Sequence, residues 1–431
     1  MRKMFRATNV VLILLCLMYF ITYLDRVNVS TAAAGFAKDF NLNKTEIGFV
    51  FSAFAYPYLI FQIIGGWVSD RFGARRTLIV CGLIWASATV LTGMAGGLIS
   101  MVIARVLLGL GEGATFPAAT SAMSRWVAKE KRGFAQGITH AAARIGNAVA
   151  PAAVVAIMAT YGWRESFYAA AALSFVWVGL WALTFTENPK DHPRITQAEI
   201  DFLPIPKEKK AKVPWGPLFK RMMPVTIVYF CYGWTLWLFL SWIPQYFLHS
   251  YSLDLKKSAI FASSVFFAGV IGDALGGVVT DKILIRTGSL HRARSVMVAV
   301  FMGLTLLSLI PLLFTHQLYV SLACLSFGFF FVEMTIGPMW AIPMDIAPEF
   351  AGTASGMMNT GSALAAIISP VIGGFLIDKT GNWELPFVGS MVLLALGVVL
   401  AFRMQPESKF ALDGTTTADG IVDPHAAAKR A

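Results

Sequence analysis

Charge is what this sequence has least of. Only 14% of its 431 residues are Asp, Glu, Lys or Arg, 57% are hydrophobic, and the mean hydropathy is +0.65. A soluble domain carries about 25% charged residues, so a globule coated for water is excluded. Cysteine is also scarce. Cys16, Cys81, Cys231 and Cys324 each stand alone in an apolar segment, with neither metal-ligand nor redox spacing, and are read as packing residues. The six histidines are equally scattered. No nucleophile, metal set or cluster of bases is assembled, so an enzyme is not expected, nor any metal or organic cofactor. GLGEG (109–113) lacks the strand and the lysine of a phosphate-binding loop. No segment is long enough for a separate signalling domain, which argues against a sensor.

What fills the chain is long apolar runs. VVLILLCLMYFITYL (10–24) and FVGSMVLLALGVVLAF (387–402) approach the length of a membrane crossing. Twelve helical spans are expected, at about 8–36, 46–69, 76–96, 98–124, 133–159, 165–187, 221–248, 258–284, 294–314, 317–346, 351–377 and 384–404. The expected fold is therefore an all-α polytopic membrane protein. The N-terminal segment has the basic start and small-residue end of a signal peptide, but its length and Asp25–Arg26 make it the first span. The net charge of +11 could suggest nucleic acid. Its distribution argues otherwise: with both termini inside, 26 of the 35 Lys and Arg residues fall in cytoplasmic segments and 6 in external loops. That asymmetry is the positive-inside rule.

The polar, lysine-rich segment 188–220 divides the chain into bundles at 1–187 and 221–404, and 405–431 reads as a disordered cytoplasmic tail. The halves echo each other. GGWVSDR (65–71) returns as GGVVTDK (276–282), and Gly133, Gly137 and Pro151 return as Gly352, Gly356 and Pro370. GWRESF (162–167) has a counterpart in GNWELPF (381–387). Two repeats with a site at the midplane between them is the logic of secondary transporters.

Seven ionisable residues fall within the spans: Asp25, Arg26, Arg105, Glu112, Arg144, Asp273 and Glu333. Each costs about 2.5–3.5 kcal/mol at a helix centre, so each is a functional candidate, with internal charge pairing the alternative. Arg105 and Glu112 are seven positions apart on one helix face, too far for an ordinary ion pair. An arginine stays charged and presents a planar fork that matches a carboxylate. A glutamate in a poorly hydrated cavity can take up and release a proton as its surroundings change. Arg105 is thus expected to hold an anion and Glu112 to carry a coupling proton. Arg144 is either a contact for a second substrate carboxylate or a partner for Glu333 or Asp25. His140, one turn earlier, is either a proton relay or an ordinary hydrogen-bonded histidine. The roles of Asp273 and Glu333 stay open.

GGWVSDRFGARR, between spans two and three, resembles the signature loop of the major facilitator superfamily, and twelve spans around a central loop fit that fold along nearly the whole chain. YLDRVNVS (23–30), YLIFQIIGG (58–66) and RVLLGLGEGATFPA (105–118) resemble the anion:cation symporters, which include bacterial sugar-acid/proton symporters. The resemblance implies a second protonation site at Asp25, a second basic contact at Arg26, and substrate contacts from Tyr58, Trp340 and Asn359. It implies a conformational role for Asp70, Arg71, Arg75 and Arg76, with Asp281 and Lys282 a weaker second copy. Arg144 departs from the uncharged amide of the sugar-acid members. The expected protein is a monomer in a bacterial inner membrane that imports a sugar acid or related carboxylate with protons. Its partners are the small anion and the lipid bilayer, and no nucleic acid. The rivals are an anion exchanger and a dicarboxylate or aromatic-acid carrier.

Overall fold

The computed structural model describes residues 6–42, 46, 50–51, 53–203, 212–253, 255–410 and 416–417. Ten helical segments in it are long and apolar enough to cross a membrane. Ala55–Phe72 and the shorter apolar helix Leu385–Ala401 complete the expected twelve. Large apolar side chains face outward all round, among them Ile99 (77% exposed), Leu183 (86%) and Phe314 (82%). Lipid, not water, is the solvent such a surface suits.

The first half runs through α1 (Ala7–Asp39), α2 (Ala55–Phe72), α3 (Ala74–Gly93), α4 (Leu98–Gly113), α5 (Thr115–Trp126), α6 (Arg132–Tyr161) and α7 (Trp163–Thr184). The second runs through α8 (Trp215–Ser250), α9 (Leu255–Thr287), α10 (Met297–Leu309), α11 (Leu318–Met334), α12 (Ile336–Ile346), α13 (Ala351–Thr380) and α14 (Leu385–Ala401). α4 and α5 are one broken span, and so are α11 and α12. The cause is the same in both. Pro117 and Pro338 offer no N–H to the carbonyls of Gly113 and Met334, and their rings crowd those carbonyls. The helices accordingly break at Ala114 and Thr335. Each break falls two residues after a buried glutamate, Glu112 or Glu333.

Packing follows the repeat. α1 lies along α6 as α8 lies along α13, and the halves meet where α6 crosses α9 and α2 crosses α13. Glycines permit those crossings. A Cβ on Gly66 would stand 2.2 Å from the carbonyl oxygen of Gly352, and one on Gly277 would stand 2.3 Å from that of Gly133. No side chain fits there.

Three expectations move at the edges. α8 begins at Trp215, several residues before the expected 221. Of the central segment, Gln197–Ile200 forms a helical turn, and Glu199 accepts from the backbone N–H (3.2 Å) and hydroxyl (2.9 Å) of Thr8. The beginning of the expected tail is anchored, because Arg221 donates to the carbonyls of Met404 (2.9 Å) and Ser408 (3.1 Å). Residues 411–415 and 418–431 of that tail, 204–211 of the loop, and 47–49 and 52 of the second span lie outside the described residues.

Candidate functional site

A cavity opens at mid-depth between the halves. Its walls come from Tyr23 and Arg26 on α1, Tyr58 on α2, Phe116 on α5, and His140 and Arg144 on α6. The second half supplies Tyr229, Tyr232 and Trp237 from α8, Trp340 from α12, and Asn359 and Ser362 from α13. The space between these walls is about 390 Å³, part of it open to the outside. Aromatic rings with a few convergent charges are the usual lining of a small-molecule site.

Two arginines face this space. The Arg26 guanidinium carbon sits 4.7 Å from the ring centroids of both Tyr23 and Tyr58, 5.1 Å from Phe54 and 5.3 Å from Phe116. Such rings hold a cation without neutralising it, each for about 0.5–2 kcal/mol. The Arg26 Nε donates to Glu112 Oε2 at 2.7 Å. The Arg144 guanidinium carbon lies 5.5 Å from the centroid of the same Tyr23 ring. Its Nη2 stands 3.1 Å from Glu333 and its Nε 3.7 Å from Asp273. Tyr232 donates its hydroxyl to the same Glu333 at 3.2 Å.

The expected residues sort into two layers. Arg26, Tyr58, Arg144, Trp340 and Asn359 all line the cavity. Trp340 donates to the Tyr229 hydroxyl at 2.6 Å, and Asn359 donates to Gln62 across the halves at 2.8 Å. Arg105, Glu112 and Asp25 stand behind that wall, all buried. Here the expectation for Arg105 needs correcting, since it does not line the cavity; Glu112, the expected proton carrier, pairs with Arg26 on another helix. The guanidinium of Arg105 rests 5.3 Å from the Phe54 ring, with Asp25 and Glu112 as its charged neighbours. Asp25 takes a long bond, 3.4 Å, from Thr89. Spacing along one helix could not show that the Phe54 ring lies against the Arg105 guanidinium.

The sequence assigns no role to Asp273, but it does carry a signal for Glu333. Glu112–Pro117 and Glu333–Pro338 share one offset of 221 residues. Glu333 is therefore the repeat-mate of Glu112, and each glutamate meets an arginine at the cavity wall.

At the end of the molecule that carries the central segment, the halves are locked. Asp70 accepts from the N–H groups of Gly352 (3.0 Å) and Thr353 (2.6 Å) and from the Thr353 hydroxyl (2.7 Å). Its repeat-mate Asp281 accepts from the N–H groups of Gly133 (3.1 Å) and Phe134 (2.6 Å). Each carboxylate thus caps the positive N-terminus of a helix in the opposite half. Arg294 bridges Asp281 (3.2 Å) and Asp345 (3.1 Å), and Arg132 reaches Asp345 at 3.0 Å. Of the other expected gate residues, Arg75 donates to the Ala182 carbonyl (2.6 Å) within its own half, Arg71 lies against the rings of Trp67 and Phe72, and Arg76 is exposed. Further bonds join the two bundles at mid-depth, from Arg144 to Glu333 and from Asn359 to Gln62.

Comparison with known proteins places these features. The family description Major Facilitator Superfamily matches residues 15–370. The probable sulfoacetate transporter SauU of Cupriavidus necator is 44% identical over 411 residues, covering 94% of this chain and 96% of that protein. The probable galactarate/D-glucarate transporter GudP of Escherichia coli K12 is 29% identical, covering 90% and 91%. Among solved structures, the proton:xylose symporter XylE superposes with a TM-score of 0.75 at 16% identity, covering 95% of this chain and 97% of XylE. That last likeness bears on fold alone.

Proposed function

This chain belongs to the Major Facilitator Superfamily, and from that premise we propose that it is a secondary transporter that imports a small organic anion together with protons. Its relatives are named as transporters of sulfoacetate and of galactarate or D-glucarate, which supports transport, not catalysis, and an anion as cargo. The observation that carries the coupling is the Arg26–Glu112 pair. The guanidinium that an incoming anion needs is already held by a carboxylate, in a cavity walled by aromatic rings.

The chemistry follows. A proton from the far side neutralises Glu112, its bond to Arg26 weakens, and the anion takes its place on the guanidinium. The halves then rock, which breaks the Asp70 and Asp281 caps and opens the linker end. The anion leaves, Glu112 releases its proton to the water there, and the Arg26–Glu112 pair re-forms. An empty carrier keeps that charge compensated during its return. Asp25 and Arg105, behind the wall, hold the field in which Glu112 exchanges its proton.

The cargo is a carboxylate or sulfonate of sugar-acid size or smaller. The test is uptake into proteoliposomes of labelled sulfoacetate, galactarate and D-glucuronate, with and without an inside-alkaline pH gradient. Wild type should accumulate at least one of them with the gradient. Glu112→Gln should retain anion exchange without a gradient but lose accumulation. Equal accumulation by wild type and Glu112→Gln would remove Glu112 from coupling, and exchange indifferent to pH in wild type would favour an obligate exchanger.

A further inference from the structure

We infer that Arg144, Glu333 and Asp273 form a second anion clamp, built across the two halves, which binds the other charged end of a short dianion and takes up a proton of its own as it does so. This rests on the transporter reading above and names the substrate class for that site. Three observations carry it. First, one guanidinium faces two carboxylates, Glu333 at 3.1 Å and Asp273 at 3.7 Å, and both acids are fully buried. Two like charges held together out of water resist being ionised at once, so the cluster has room for a proton. Second, Arg144 lines the cavity at 5% exposure, yet its Nη1 has no hydrogen-bond partner. A buried donor on a cavity wall is a vacant half of a bidentate fork, the geometry that takes a carboxylate or sulfonate.

The third observation is distance. The guanidinium carbons of Arg26 and Arg144 lie 4.7 and 5.5 Å from one ring centroid, that of Tyr23, so they are no more than about 10 Å apart. An arginine carbon stands about 4 Å from the central atom of an anion it grips. A two-carbon dianion such as sulfoacetate therefore needs an arginine separation of about 11 Å, whereas an extended six-carbon diacid needs about 15 Å. The short dianion is the nearer fit: it exceeds that limit by about 1 Å, which a small side-chain shift closes, whereas the six-carbon diacid exceeds it by about 5 Å. The titratable and charged groups facing the clamp are His140 on the same helix as Arg144, Asp273 on α9, Tyr229 and Tyr232 on α8, and Tyr23 on α1. On binding, a proton from the water on the substrate side adds to Glu333, the acid that holds Arg144. Glu333 then releases Arg144, and the anion's second end takes the guanidinium. The proton leaves with the substrate on the other side.

The probes are sulfoacetate, galactarate and the monoanion glycolate, each measured by thermal stabilisation of purified protein. Wild type should bind sulfoacetate at least tenfold more tightly than glycolate, and more tightly than galactarate. In Arg144→Gln/Glu333→Gln that preference should collapse by about tenfold to a hundredfold, the worth of a charge-assisted pair, with glycolate binding little changed. If the double variant does not fold, Glu333→Gln alone decides, because its sulfoacetate affinity should lose one proton's worth of pH dependence. A preference for sulfoacetate that survives in the double variant, or unchanged pH dependence in Glu333→Gln, overturns the clamp and leaves the Arg26–Glu112 reading standing. Binding of glycolate but of neither dianion does the same. A wild type that binds none of these acids overturns both.

Discussion

The two glutamate–arginine pairs differ in one respect that matters. Glu112 and Glu333 occupy equivalent places in the repeat, each two residues before a proline-driven break in a span. Glu112 takes its arginine from α1, inside its own half. Glu333 takes its arginine from α6, across the interface. Duplication preserved the acid and the broken helix, but not the source of the base. One pair can therefore break without any movement of the halves, while the other is itself a strut between them. The first suits proton exchange in either facing state, and the second makes occupancy of the clamp a condition for movement.

The largest effect should come from removing the shared base. Arg144→Ala leaves Glu333 and Asp273 buried without a cation, and stranding a buried charge costs about 3–5 kcal/mol. Arg26→Ala strands Glu112 alone, with Arg105 still among its charged neighbours. The expected order of thermal stability is wild type, then Arg26→Ala, then Arg144→Ala, with Arg144→Ala regaining stability on acidification as the acids are neutralised. An inverted order would show that the cross-half pair is the weaker of the two, and the contrast would fail.

Next in size is the interface that both pairs must work through. Gly66→Ala and Gly277→Ala each place a methyl 2.2–2.3 Å from a carbonyl oxygen of the opposite half. Each should weaken the closed linker end by about 1–3 kcal/mol, the usual cost of overpacking, and slow uptake by tenfold or more in proteoliposomes. Because α2–α13 and α6–α9 are equivalent seams, the two variants should behave alike. A large difference would place the moving interface at one seam. Cysteines introduced at the linker end should also label faster in both variants than in wild type.

How much of this was readable beforehand depends on whether it is local or between helices. The twelve spans, the division into halves and the seven intramembrane charges follow from hydropathy and residue type, which act within each segment. The cavity-lining Arg26, Tyr58, Arg144, Trp340 and Asn359 came from motif resemblance and from the rarity of charge in lipid. What the sequence could not supply was which helix approaches which. Glu112 shares a helix face with Arg105 but is too far along it to pair, and only the fold shows that Arg26 of α1 makes the contact. Arg75 looked like part of the gate because it is beside Asp70 in the chain, yet Asp70 is satisfied by backbone N–H groups some 280 residues away. The ionic lock joins Asp281, already expected as a second copy of the gate, to Arg294, which bridges to Asp345 and Arg132, and those three partners sit at helix ends that single-segment reading treats as topology markers.

The smallest expected effect comes from an acid–arginine contact in the open, and it calibrates the other two. Asp39 accepts from Trp163 at 2.8 Å and from Arg164 at 3.0 Å, with both charged side chains well exposed. The bonds from Trp163 and Arg164 hold its carboxyl below the ordinary carboxylate range. A depressed acid adds stability above its unfolded value, near pH 3.9, and loses it as pH falls through the lower folded value. Asp39→Asn should therefore cost a little stability at neutral pH, converge with wild type in strong acid, and leave uptake and its pH dependence unchanged. Exposed pairs are screened by water and salt, so added salt should shrink the difference further. The buried pairs should keep their effects at high salt. If Asp39→Asn instead altered the pH profile of uptake, pairing with arginine alone would be shifting the profile, and burial beside the cavity would no longer be what sets Glu112 and Glu333 apart.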